Sequence, residues 1–128
     1  MKLLTAYRCL CDETRLRMLN LLLDGPLCVC HFAVILEMDQ PKVSRHLKVL
    51  KQAGFVTTER CYNWTICRLS DELGPLLEVN LKCIRDLRNE ESFFGGDLER
   101  RDRTVKEITS GDCSDLPSKI RALCQVVC

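Results

Sequence analysis

The chain has 128 residues, 46% of them apolar and 29% charged, enough for one compact domain with a buried core and too few for a second of ordinary size. Its 19 basic and 18 acidic residues give a net charge of +1, which excludes a uniformly basic nucleic-acid coat and an acidic solvating tail but not a local basic patch. No apolar run approaches the roughly 20 residues that span a bilayer, and Arg8 interrupts the opening too early for a signal-peptide core, so a cytoplasmic protein without membrane contact is expected.

Ten cysteines are the one anomaly of the composition. In a secreted chain they would suggest a disulfide framework. Here several fall inside helical patterns, which points to soft-metal binding or redox chemistry, with buried structural thiols as the alternative.

The first strong element follows Asp12, an N-cap with Glu13 in the first turn, and carries Leu16, Leu19 and Leu23 at helical spacing. Asp24-Gly25-Pro26 stops it. A second short helix is predicted over about 28–37, with Phe32, Ile35 and Leu36 facing inward. Asp39-Gln40-Pro41 opens a third, with Val43, Leu47 and Leu50 as its apolar stripe and Ser44, Arg45, Lys48 and Gln52 on the other side. Ala53-Gly54 closes it with glycine at C′.

Two β-rich runs, 55–60 and 64–69, joined by Cys61-Tyr62-Asn63, predict a hairpin in which Asn63 takes a positive φ. After Asp71 a longer helix carries Leu77, Leu81 and Ile84, a stripe expected to bury itself against a second copy of the chain, with completion of the core of one chain as the plainer alternative. Phe94-Gly95-Gly96 is read as the end of the compact pattern, so residues 1–92 form the domain and 93–128 a loosely attached tail with a short helix near 120–127. Helices in this order followed by a hairpin predict a mostly α fold with a β-hairpin wing, a winged helix-turn-helix acting as a homodimer.

Between Gln40 and Arg68 six basic residues face one acid, a net of +5, so the remainder of the chain carries −4. That segregation places positive charge on the helix and hairpin that would meet double-stranded DNA, although a solvated charged face is the plain alternative. Gln40 suits adenine, Arg45 suits guanine, and Lys42, Ser44 and Lys48 suit phosphate or base. His46 beside them is expected on phosphate, and Arg60 and Asn63 at the hairpin tip on the backbone or an adjacent minor groove.

Cys11-Asp12-Glu13-Thr14-Arg15-Leu16-Arg17, Leu27-Cys28-Val29-Cys30, Gln40-Pro41-Lys42-Val43-Ser44-Arg45-His46-Leu47 and Trp64-Thr65-Ile66-Cys67-Arg68-Leu69-Ser70 together resemble the ArsR/SmtB family, and within it the arsenical resistance repressors, over roughly residues 5–91. The resemblance implies a homodimeric winged-helix repressor on a palindromic operator, not an enzyme, which releases DNA when trivalent arsenic or antimony binds cysteines and needs no obligatory cofactor. Three positions depart from the pattern: Ala33 stands where a third cysteine is frequent, His31 stands where an aspartate follows the second cysteine, and the wing tip lacks its usual glycines.

Trivalent arsenic is soft, prefers thiolates and makes three bonds, so inorganic arsenite wants three sulfurs. Cys28 and Cys30 are the best pair, at a helix start that favours thiolate. In an ideal helix they would point to opposite faces, about 200° apart, so one arsenic would have to unwind the first turn, displacing the helix beneath the DNA reader. Third-ligand candidates are Cys9, Cys11, Cys61, Cys124 and Cys128, with Cys113 also in the tail and Cys67 and Cys83 reading more as core or interface. A methyl- or aryl-arsenic(III) species already has one bond to carbon, so Cys28 and Cys30 alone would satisfy it.

The alternatives on the same fold are a cadmium, lead or zinc sensor, which needs further ligands around this pair (His31 among them), and a thiol redox switch. A thiol enzyme wants a Cys-x-x-Cys or a nucleophile with an activating set, and neither is present. A metal buffer has no use for a +5 face.

Overall fold

The computed structural model describes residues 2–61, 64–72 and 74–110. Among these residues six helices and three strands follow in the order α1 (Lys2–Leu10), α2 (Glu13–Leu23), β1 (Leu27–Cys28), α3 (Val29–Leu36), α4 (Gln40–Gln52), β2 (Val56–Cys61), β3 (Trp64–Leu69), α5 (Pro75–Leu87) and α6 (Ser92–Ser110). The strands form one antiparallel sheet in the order β1-β3-β2. This is the expected mostly α architecture with a hairpin wing, to which the structure adds α1 and the two-residue β1. Neither was legible: α1 offers only nine residues of mixed character, and β1 exists only because β3 pairs with it.

Asp12 caps α2 as its sequence position suggests, with an extended backbone (φ −150°, ψ 123°) and its carboxylate accepting from the Arg15 N–H at 3.1 Å. Met18, Leu19, Leu21 and Leu22 are buried, and α2 is the post around which α1, α4, α5 and α6 pack.

Helix α3 ends at Glu37, which adopts a left-handed conformation (φ 54°, ψ 49°). Its N–H donates to the Val34 carbonyl and that of Met38 to the Ala33 carbonyl, the paired bonds of a Schellman turn. Helix α4 ends the same way: Gly54 (φ 85°) donates to Lys51 and Phe55 to Leu50. The turn between α3 and α4 is therefore closed by backbone alone, and Val43, Leu47 and Leu50 lock α4 against the core.

The hairpin pairs Val56 with Leu69 through Cys61 with Trp64, and β1 adds Leu27 opposite Cys67 and Cys28 opposite Ile66. The expected positive φ of Asn63 lies outside the described residues.

Two expectations are corrected. The α5 stripe turns inward: Leu81 and Ile84 are buried in the core of one chain, against α2, rather than reserved for a second copy. The segment after Phe94 is no loose tail as far as residue 110. Helix α6 runs through Gly95 and Gly96 and packs on α2 and α3, with Phe94, Asp97, Arg101, Thr104 and Val105 buried. Two helical glycines cost about 1 kcal/mol each relative to alanine. Burial of Phe94 and Val105, together with the ion pairs of Asp97, offsets that cost. The short helix expected near 120–127 lies outside the described residues.

Candidate functional site

Cys28 ends β1 and caps α3, with an extended backbone (φ −79°, ψ 155°). Cys30 sits in the first turn of α3, so the two thiols do not occupy positions i and i+2 of one regular helix. The strand-to-helix corner brings them side by side instead. The geometric reason for expecting the first turn to unwind is thereby removed. Cys28 is buried and Cys30 half-buried.

The neighbouring Cys30 thiol lowers the Cys28 thiol from its ordinary value to about 7 against the opposing effect of burial, with backbone N–H groups of Cys30, Thr65 and Val29 adding to the lowering. Cys30 is raised in turn, by the Cys28 sulfur and by burial. Cys28 is thus the thiol of the pair that gives up its proton more readily, and the Cys30 thiol donates to its sulfur.

The backbone N–H of Cys28 donates to Nδ1 of His31 at 3.0 Å. This bond closes the corner from the helix side, while pairing with Ile66 closes it from the sheet side. The rim of the site is therefore rigid before any ligand arrives.

Both cysteines open on a cleft of about 670 Å³. Cys28, Val29 and Cys30 form one wall. Gln40, Ser44, Leu47, Lys48 and Lys51 of α4 form the second, and Thr58, Trp64 and Thr65 of the hairpin the third. Lys51 Nζ donates to the Thr58 hydroxyl at 3.0 Å, tying α4 to the wing across this space. Sequence reasoning missed Leu47, Lys51, Thr58, Trp64 and Thr65 as neighbours of the thiols, since only the β1–β3 register and the α4–hairpin packing bring them there.

The basic face stands where its spacing puts it: Gln40, Lys42, Ser44, Arg45 and Lys48 are exposed along α4, and Arg60 is exposed on β2. Asn63 lies outside the described residues. The His46 ring is half-buried against the start of α2, with Nδ1 3.5 Å from Arg15 Nη1 and 4.0 Å from Asp12 Oδ1. Burial lowers its affinity for a proton.

Of the other thiols, Cys9 lies on the buried side of α1, and burial raises its thiol above the ordinary value. Cys67 is fully buried in β3, and burial pushes its thiol up to about 12. Cys11 and Cys83 are exposed. Among the described residues no third His, Cys, Asp or Glu joins Cys28 and Cys30 in a group able to hold a metal ion. Cys113, Cys124 and Cys128 lie outside the described residues, as does the side chain of Cys61.

Among the described residues no helix is long and apolar enough to cross a membrane. The profile of the bacterial regulatory protein arsR family matches residues 12–58. The arsenic resistance transcriptional regulator ArsR1 of Pseudomonas putida is 40% identical over 85 residues, covering 66% of each chain. The arsenical resistance operon repressor of Escherichia coli is 40% identical over 52% of this chain and 58% of its own length. That of Bacillus subtilis is 39% identical over 61% of this chain and 76% of its own. The chain thus spans less than two thirds of the first two of these relatives. Among solved structures, HlyU from Vibrio cholerae superposes with a TM-score of 0.60 at 27% identity, over 67% of this chain and 90% of that one.

Proposed function

This chain belongs to the arsR family of bacterial regulatory proteins, and on that premise we propose that it is a transcriptional repressor of arsenic resistance, released from its operator when trivalent arsenic or antimony binds Cys28 and Cys30. Its relatives are named as regulators and repressors, not enzymes. The observation that carries the reading is the shared cleft. Two thiols that lie side by side open on the same space as Gln40, Ser44 and Lys48 of the helix expected to read DNA.

Arg45 and Lys42 on the outer side of α4 reach for base edge and phosphate, while Gln40, Ser44 and Lys48 border the cleft. Arsenic on the two sulfurs stands between α4 and the wing, where Lys51 and Thr58 hold the two together. Its entry changes the spacing of α4 and hairpin directly. That route does not require unwinding of α3, because the corner at Cys28 already presents both sulfurs to one atom.

A homodimer follows from the operator geometry: one recognition helix makes too few contacts, and two-fold sites pair two helices about one DNA turn apart. Leu3, Leu4 and Tyr7 on α1, with Val79 and Leu87 on α5, supply exposed apolar surface for it.

The test is a gel shift on the DNA upstream of the coding sequence, with and without arsenite, for the wild type and Cys28→Ser. The wild type is expected to bind and to let go on arsenite, and the variant to bind and hold. A variant that still lets go overturns the assignment of Cys28. Release by peroxide alone, with no response to arsenite, would favour a redox switch at the same two thiols.

A further inference from the structure

We propose that the cleft beside Cys28 and Cys30 seats the organic substituent of a trivalent organoarsenical, with Trp64, Leu47 and Val29 as the apolar surfaces that select it. This deepens the proposed function and rests on it. Two independent observations meet here. The described residues offer arsenic two sulfurs and no third ligand. The space in front of those sulfurs is far larger than a hydroxide or a water needs, and among the polar side chains of Gln40, Ser44, Lys48, Lys51, Thr58 and Thr65 that line it, Trp64, Leu47 and Val29 supply its apolar surface.

A trivalent arsenic with one As–C bond carries two exchangeable As–OH groups. Reaction with the two thiols forms two As–S bonds and breaks two As–O bonds. Each thiol proton leaves with a hydroxyl as water, and arsenic stays trivalent throughout, so no oxidant or reductant is needed. The carbon substituent then occupies the third position. Cys28 and Cys30 belong to one wall of the cleft, so the substituent points away from that wall, towards Leu47 on α4 and Trp64 on β3.

Leu47 is only 4% exposed and anchored in the core, and Trp64 is half-buried at the start of β3, paired with Cys61. These surfaces are fixed before binding, so an aromatic group entering between them loses water without a matching cost in ordering the protein. A substituent in this place also occupies the interval between Ser44 or Lys48 and the hairpin, which couples its size to the position of α4.

The experiment compares methylarsenite with phenylarsenite, two probes of identical thiol chemistry that differ in the substituent, on the reduced full-length chain. Trp64 is the single tryptophan, so its emission reports contact with the substituent directly. Phenylarsenite is expected to bind about tenfold more tightly, or better, through the apolar area it buries, and to change Trp64 emission more than methylarsenite does. Trp64→Ala, followed by calorimetry, is expected to bring the phenyl-to-methyl ratio down towards one. Equal affinity of the two probes in the wild type overturns the proposal while leaving the thiol site standing, as does phenylarsenite binding that leaves Trp64 emission unchanged. Failure of both probes to bind overturns the thiol site itself. Should Trp64→Ala not fold, the wild-type affinity ratio and emission change decide the matter on their own.

Discussion

Nδ1 of His31 accepts the backbone N–H of Cys28 at 3.0 Å, and that bond settles both the tautomer and the charge of the ring. With Nδ1 an acceptor, the proton sits on Nε2, which is buried with no hydrogen-bond partner among the described residues. A second proton has nowhere to go without breaking the bond at Cys28. Burial, and then the charge of Arg101 on α6, hold the imidazole neutral down to about 4. The residue that departs from the family pattern beside the thiol pair therefore clasps the Cys28 corner.

A pH dependence of stability follows. In the unfolded chain the ring takes a proton near the ordinary 6.5, in the folded chain only near 4, so between these values the unfolded state binds the extra proton. Stability is full above 6.5 and is lost as pH falls through this window, by on the order of 2 kcal/mol. Urea unfolding near neutral pH and near pH ~4.5 checks this, with His31→Gln as the reference that keeps an acceptor for Cys28 and cannot titrate. The wild type should lose more stability than the variant on acidification. Equal losses would show that other groups carry the acid sensitivity.

Asp97 is fully buried and accepts from Arg17 Nε at 2.8 Å, Arg17 Nη2 at 2.7 Å and Arg100 Nη2 at 2.6 Å, while Arg100 Nε also donates to the Ile35 carbonyl at 2.8 Å. One carboxylate thus pins α6 to α2 and, through Arg100, to the end of α3. Removing one member of a buried pair leaves uncompensated charge and costs about 3–5 kcal/mol. Both arginines keep some solvent contact, so Asp97→Ala is expected at the lower end, about 3 kcal/mol. Chemical denaturation measures the loss, and amide exchange in α6 should rise ahead of exchange in α2. A loss below about 1 kcal/mol would mean that α6 is held by its apolar contacts alone.

Glu37 occupies the left-handed C′ position of α3, where a side chain costs roughly 1 kcal/mol that glycine does not incur. It is exposed and closes the turn through its backbone. Glu37→Gly is therefore expected to raise stability by about 0.5–1 kcal/mol, read as a higher urea midpoint at unchanged slope. A lower midpoint would show that the Glu37 side chain, whose charge favours protonated Arg17, outweighs the backbone gain.

Local signals carried far in this chain. The Asp12 cap, the Pro41 start and the Gly54 stop mark their helices because each acts through backbone geometry within one turn. The inward Val43-Leu47-Leu50 stripe and the outward Gln40, Lys42, Ser44, Arg45 and Lys48 follow from 3.6-residue periodicity alone. The same periodicity misled at Cys28 and Cys30. It assumes that both lie on the helix, whereas pairing with Ile66, 38 residues further along the chain but adjacent in space, draws Cys28 into the sheet.

Sequence by itself determined the helix-turn-helix, the hairpin and the segregation of charge onto them, since each depends on neighbours within a few residues. Tertiary structure decided that the two thiols face one another, that Leu47 and Trp64 stand in front of them, that His46 meets Arg15 of α2 and that α6 joins the core. Those outcomes rest on contacts between residues far apart in the chain, such as Arg17 with Asp97, and no local pattern encodes which distant partner will satisfy a buried charge or an open strand edge.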